Sequence, residues 1–383
     1  MRVEVVEALD QVEPEAWDAL NPDNDPFLRH TFLSGLERHD CLGQAYGWYP
    51  CHVLIREPGG RLVGGMPMYV KTNSYGEFVF DWSWASAYER YGQRYYPKLV
   101  IGIPYTPITG RRLLVLPDCD PAPIKDRLID TALELTRTRG YSGVHWLFTD
   151  SDDTAHLKAH GLMLRLGCQF HWSNPGYADF DDFLARFSSR KRKKVRRERR
   201  RVDEQDLALT TLHGDQVSDA LWETFHRFYV DTFDRKSGIP TLSLAFFREL
   251  GRAMGRQLVL VLAEQAGRPV AGAINLRSDD SLFGRYWGCE REFDSLHFEA
   301  CYYRGIDYCI SEGLTCFQPG AQGEHKISRG FLPTRTWSAH AIMDPQFRDA
   351  VADFCRREEM MMEGHCRELG ELSPFRRSDD TEG

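Results

Sequence analysis

The sequence predicts an α/β protein made of two similar units in tandem. Three observations lead there. The segments "EPGGRLVGGMPM" (57–68) and "EQAGRPVAGAIN" (264–275) share E-x-x-G-R-x-V-x-G without a gap. Each reads as a Gly-containing turn between two apolar strands, the pattern of an antiparallel hairpin. With 383 residues, 42% of them hydrophobic and 12% aromatic, the chain can bury more than one core.

The elements that follow each hairpin keep the same order. "EFVFDWSW" in the first half and "SLFGRYWG" in the second read as the next strand. A helix over 123–140 then precedes the strand "SGVHWLF", and a helix over 297–313 precedes "LTCFQPG". Both helices carry apolar residues at helical spacing and stop at Gly, which accepts the left-handed cap. Strand, hairpin, strand, helix, strand is the order of the acetyltransferase-like GNAT fold, so two GNAT-like units with mixed sheets flanked by helices are expected. Their expected bounds are 1–180 and 206–372, with a basic linking helix at 181–205 and a disordered tail at 373–383. An extra stretch, 88–115, rich in Tyr, Pro and Gly, is expected to wall a cleft in the first unit.

The linking segment is distinctive in charge. Between Ser188 and Val202 stand ten Arg and Lys and one Glu, in a chain of net charge −8. Removing that local +9 leaves the remainder near −17, so the basic character is confined to this run. A solvated charged face is the ordinary meaning of such a run. As a helix it would carry charge on every face, with Val195 its only internal apolar residue, and would bury no side. Its interactions would be electrostatic, with Arg196, Arg197, Arg200 and Arg201 facing phosphates of a substrate or of RNA.

Composition excludes other classes. The N-terminal stretch lacks an apolar secretory core, and the longest apolar run, near 258–263, is too short to span a bilayer, so a cytoplasmic protein without a transmembrane segment is expected. Ten cysteines are scattered without a CxxC pair, which points to reduced, buried thiols. No metal site is expected: closed zinc sites bring ligands in short-spaced pairs, and "GEHK" lacks HExxH spacing.

Several strings, "GRYWGCEREFDSLHFEACYYRGIDYCISEGL", "GAQGEHKISRGFLPTRTWSAH", "YYPKL", "PYTPITGRRLL", "FHWSN" and the basic run itself, resemble the FemAB-like family of peptidoglycan biosynthesis or recognition proteins, over most of residues 25–345. The resemblance implies a tandem GNAT fold and kinship with bacterial transferases that pass amino acids from aminoacyl-tRNA to a cell-wall precursor. In those transferases a Phe-Lys pair follows a strand. Lys326 resembles that Lys, and His325 stands where the Phe would be.

Acyl transfer to an amine requires an oxyanion stabiliser and a route for the proton. Lys326, His297, Glu299 and Tyr302 are the candidate catalytic residues. The glycine-punctuated loop "GAQGEHKISRG" adds Gln322, Glu324, His325 and Arg329 as candidate substrate contacts, and the first unit adds Asp81, Tyr105, Thr106 and Arg111. The acyl donor is left as aminoacyl-tRNA or acetyl-coenzyme A, and the acceptor as an amine-bearing or phosphate-linked small substrate. A non-catalytic binder of a nucleotide-linked precursor or RNA is the alternative class. One coenzyme A signature, Q/R-x-x-G-x-G/A, is matched by "RELGRA" (248–253), but within a helix before the hairpin. The slot where a pyrophosphate would sit holds "CEREFDSLH" (289–297), acidic and without glycine, which disfavours that anion.

Overall fold

The computed structural model describes residues 1–235, 237–321 and 323–376. The chain divides into two compact units, Met1–Cys168 with Arg335–His365, and Gln169–Thr334 with the described residues from Cys366 on.

The chain opens with strand β1 (Arg2–Val6) and helices α1 (Pro14–Asp18) and α2 (His30–Arg38). Strands β2 (Trp48–Pro50), β3 (His52–Arg56), β4 (Leu62–Met66) and β5 (Met68–Lys71) follow, then helix α3 (Trp82–Arg90). Next come β6 (Lys98–Ile101), β7 (Leu114–Val115), α4 (Pro121–Thr138), β8 (Gly143–Thr149), α5 (Ser151–Ala159) and β9 (Met163–Ser173). The later part runs α6 (Phe180–Ala185), α7 (Ser189–Asp203), β10 (Leu207–His213), α8 (Asp219–Arg235), α9 (Leu244–Met254), β11 (Leu258–Gln265), β12 (Arg268–Arg277) and β13 (Ser281–Cys289). It closes with α10 (Leu296–Phe298), α11 (Arg304–Glu312), β14 (Cys316–Gln318), β15 (Leu332–Ile342) and α12 (Pro345–Glu371).

One topology recurs in the two units. In the first, β1 pairs antiparallel with β3, β3 with β4, and β5 with β6, and β6 runs parallel to β8. In the second, β10 pairs antiparallel with β11, β11 with β12, and β12 with β13, and β13 runs parallel to β14. The two repeated hairpins therefore take equivalent places. Where the second unit has the single strand β12, the first has β4 and β5 separated at Pro67, whose missing N–H cannot serve a ladder. The shared final Gly of the motif has a packing reason. A Cβ on Gly65 would lie 2.8 Å from Leu20 and 3.0 Å from Trp17, and one on Gly272 would lie 2.9 Å from Phe225. In both copies an aromatic ring of a preceding helix lies against the strand there.

Helix α4 shows how sequence sets local structure. Asp120 caps it by accepting from Ala122 N, and Pro121 occupies its first turn. Its Ile124, Leu128, Ile129 and Ala132 pack with Val53 of β3, Met66 of β4, Leu99 of β6 and Trp146 of β8 in a buried core.

Three expectations need correction. "EFVFDWSW" is not a strand: Phe78 and Phe80 have positive φ, Phe80 is exposed, and α3 begins at Trp82. The equivalent strand is β6, inside the stretch read as a cleft wall, and its Leu99 and Ile101 belong to the core. The expected helix at 297–313 contains a π-helical turn, Glu299–Tyr303. Finally, the tail is packed as far as it is described. Phe375 meets Phe187 with ring centroids 5.1 Å apart, and Arg376 N donates to Arg186 O at 2.9 Å. Residues 377–383 of the expected tail lie outside the described residues.

A division into consecutive halves also differs from the observed one. In the first unit, β8 has β15 as its antiparallel neighbour, from Trp337↔Thr149 to Ile342↔Gly143. In the second, β14 is flanked by the end of β9, with Cys316↔Ser173 and Phe317↔Trp172. Each sheet is thus completed by a strand distant in sequence. A polypeptide of residues 1–180 should consequently aggregate or stay unfolded, because one side of β8 is left bare. Adding residues 335–365 in trans or through a linker should restore a cooperative melt by circular dichroism; an equally cooperative melt for 1–180 alone would contradict this.

Candidate active site

The second unit offers a strand-end site. β13 runs alongside β14 only over Ser281–Phe283. Beyond Gly284 the two part, as β14 stops before Pro319 and a bulge shifts the β12–β13 register after Ile274. The opening is a cavity of about 110 Å³ whose walls include Asn275, Trp287, His297, Cys301, Tyr302 and Pro319.

The loop after β14 becomes a 3₁₀ helix, Glu324–Arg329, closed by Gly330 in the left-handed region. This turn brings two candidate residues, His325 and Lys326, to the edge of the cavity. Lys326 is buried, and its Nζ donates to Gly320 O at 2.7 Å, next to Pro319 of the cavity wall. Burial pulls its ammonium down to about 8. His325 Nε2 lies 3.0 Å from the hydroxyl of Tyr302. Burial, aided by the Arg329 charge, lowers the His325 imidazole, and burial raises the Tyr302 phenol, so Tyr302 keeps its proton at neutral pH. His297 stands edge-on to both Trp287 (5.4 Å) and Tyr302 (5.5 Å).

Arg329 does not face a substrate. It is buried, donates to Glu198 Oε1 at 2.8 Å and to His325 O at 2.7 Å, and lies 3.4 Å over the Phe298 ring. The hydroxyl of Tyr303 donates to the other Glu198 oxygen. Glu299 also stands apart from the cavity lining. It pairs with Arg199 at 3.1 Å and Arg304 at 3.2 Å, and burial raises its carboxyl. Glu324 is exposed at the start of the turn, and Gln322 lies outside the described residues.

Helix α7 corrects the expectation of a helix without a buried side. Val195, Glu198 and Val202 are buried at helical spacing, and the helix belongs to the second unit. Of the four proposed phosphate ligands, Arg196 pairs with Asp181 at 3.0 Å, Arg201 with Asp294 at 2.9 Å and Arg200 with Glu204 at 3.7 Å, while Arg197 is exposed. The residue that composition concealed is Glu198, the lone acid of the run.

Three of the four candidates of the first unit, Asp81, Tyr105 and Thr106, are buried in its interior. Asp81 is buried, pairs with Lys98 and accepts from the Tyr95 hydroxyl at 2.5 Å. Burial opposes its ionisation, yet Lys98 holds the carboxyl well below the usual range. Tyr105 donates to Cys41 O at 2.7 Å and Thr106 to Pro104 O at 2.9 Å, both buried. Arg111 pairs with Asp23 at 2.9 Å on the surface. These four residues do not form one group.

A family model described as peptidoglycan biosynthesis/recognition matches residues 8–377. The chain belongs to the FemAB-like family. No curated protein matches the sequence. Among solved structures, this FemAB-like chain is similar to FemX at 13% identity, with a TM-score of 0.55 over 91% of this chain and 100% of that one. It is also similar to the C-terminal domain of a putative lysylphosphatidylglycerol synthetase from Agrobacterium fabrum, at 9% identity and a TM-score of 0.52 over 91% and 96%. A conserved protein of unknown function from Bacteroides thetaiotaomicron matches at 12% identity and a TM-score of 0.53 over 90% and 100%. These likenesses establish the fold as that of FemX. No helix among the described residues of the FemAB-like chain is long and apolar enough to cross a membrane.

The Glu198–Arg329 pair gives a stability test. Arg329→Met leaves the buried Glu198 with the Tyr303 hydroxyl and the distant, partly exposed Lys194 at 3.9 Å, so urea unfolding should show a loss of about 3 kcal/mol. Arg196→Gln, which breaks an exposed pair, should cost under about 1 kcal/mol.

Proposed function

We propose that this FemAB-like protein transfers an acyl or aminoacyl group to an amine of a peptidoglycan precursor, with the reacting carbonyl at the gap between β13 and β14. The observation that carries this is Lys326, a buried ammonium with no carboxylate partner among the described residues, beside a small cavity. Of its three N–H donors one binds Gly320 O, and the others serve a developing oxyanion. The acceptor amine attacks the carbonyl, forming C–N. The C–O bond to the donor breaks, and the proton lost by the amine ends on the departing oxygen. Tyr302, protonated and bonded to His325, is the group placed to pass that proton, and His297 shapes the other wall. Glu299, held by two arginines, positions the π-helical turn that carries Tyr302.

Aminoacyl-tRNA is favoured over acetyl-coenzyme A as donor. Between β13 and α10 the exposed Glu290, Glu292 and Asp294 would face a pyrophosphate, and the Asp294 N–H is already bonded to Gln205 Oε1 at 3.1 Å. "RELGRA" offers no alternative: it lies in α9, where a Cβ on Gly251 would meet Trp222 at 2.7 Å, and Arg248 pairs with Glu223. The exposed side of α7, with Arg196, Arg197, Arg200 and Arg201, supplies phosphate contacts for the donor or the nucleotide-linked acceptor. Changing these four to Gln should flatten the salt dependence of tRNA binding, by about 0.7 in log–log slope for each phosphate no longer neutralised. Loss of precursor binding in place of tRNA binding would assign them to the acceptor. Unchanged curves for both would make them a solvated face.

Lys326→Met supplies the direct test. Transfer from aminoacyl-tRNA to a precursor amine should fall by roughly 10²–10³-fold, the usual effect of losing an oxyanion donor. The folded Lys326 titrates near 8, below the unfolded value of about 10.4, so its contribution to stability rises with pH across that window. The parent should therefore lose activity above pH 8 while gaining stability, and Lys326→Met should remove that pH-dependent gain. Full activity in Lys326→Met would overturn the proposal, and turnover with acetyl-coenzyme A alone would overturn the choice of aminoacyl-tRNA as donor.

A further inference from the structure

Helices α4 and α5 of the first unit bring together four side chains that no transfer step uses. Asp126 and Asp130 lie one turn apart on α4, and His156 and His160 one turn apart at α5. His156 Nε2 is 2.8 Å from Asp126 Oδ1, and His160 Nδ1 is 3.5 Å from that same oxygen. One ligand atom from each of Asp126, His156 and His160 lies within 4.8 Å of the others. The other nitrogen of His160, Nε2, is 3.1 Å from Asp130 Oδ1. The two imidazoles face each other, with centroids 6.4 Å apart and planes at 21°.

Hydrogen bonding alone holds these groups when His160 donates from both ring nitrogens and Asp126 Oδ1 accepts from two rings. With a cation among the three, Nδ1 of His160 offers its lone pair, and Nε2–H donates to Asp130. A ligating histidine whose second nitrogen is held by a carboxylate is the recurrent arrangement at zinc. Two imidazoles and one carboxylate suit zinc and its first-row neighbours over magnesium or calcium, which take oxygen ligands. All three side chains are partly exposed, so an ion can enter from solvent.

We infer that Asp126, His156 and His160 form a divalent transition-metal site, zinc being the fitting ion, with a fourth position for water and Asp130 orienting His160. The sequence hid it because the ligands come from two helices thirty residues apart. The bound ion would tie α4 to α5, both of which pack on β8.

The test is calorimetric titration of the chelator-treated full chain with Zn²⁺. One equivalent should bind to the parent and raise its Tm. Binding should vanish in His156→Ala and in His160→Ala, and should weaken by about 10–100-fold in Asp130→Asn. Co²⁺ loaded into the parent should give an absorption spectrum without thiolate charge transfer, a readout independent of any variant's folding. Absence of binding to the parent, undiminished binding in the histidine variants, or a thiolate band from the cysteines would overturn the site, and full affinity in Asp130→Asn would overturn the part given to Asp130.

Discussion

The buried pair between Glu198 and Arg329 is the interaction on which the candidate site depends. A carboxylate inside a run of ten cations would be expected in water, and here it is drawn inward and holds Arg329, the Tyr303 hydroxyl and, at 3.9 Å, Lys194. Arg329 in turn holds His325 O and covers Phe298. One ion pair thus fixes the turn that carries Lys326, the π-helical turn that carries Tyr302, and the basic helix. Removing either partner strands a charge in low dielectric, which makes the arrangement all-or-none.

Beside the cavity stands an ammonium, Lys326, that has no carboxylate partner among the described residues. The buried carboxylates of the second unit are engaged elsewhere, Glu198 by Arg329 and Glu299 by Arg199 and Arg304, while Lys326 is bonded to Gly320 O. An ammonium left with a backbone carbonyl is costly to the fold and is available to a reaction in which negative charge appears for a moment.

Much of the fold was legible in the sequence because its signals are local. The repeated hairpin announces itself through a turn and through Gly65 and Gly272, where aromatic rings leave no room for a side chain. What misled were segments whose meaning is set by distant partners. Phe78 and Phe80 have the alternation of a strand, yet the buried Lys98 binds Glu77 and Asp81 and turns that segment into a loop ahead of a helix. The basic run looked uniform because a charge pattern cannot distinguish Glu198, buried, from its exposed neighbours. Of the site, Lys326, His325, His297 and Tyr302 could be read from a glycine-punctuated loop and a resemblance. That Arg329 and Glu299 spend themselves on internal pairs could not, since Glu198 lies 131 residues from Arg329 and Arg199 lies 100 residues from Glu299.

The exchange of closing strands sets a schedule for synthesis. β8 ends at Thr149, but its antiparallel neighbour starts near Trp337, roughly 190 residues later. At about 5–20 residues per second, the nascent first unit waits roughly 10–40 s with a strand that is buried throughout in the finished fold unpaired on one side. Chains of consecutive domains fold as each emerges from the ribosome; here the earlier unit is completed only after most of the later one has been made, and the interval is one in which a chaperone, or another nascent copy, competes for the same edge.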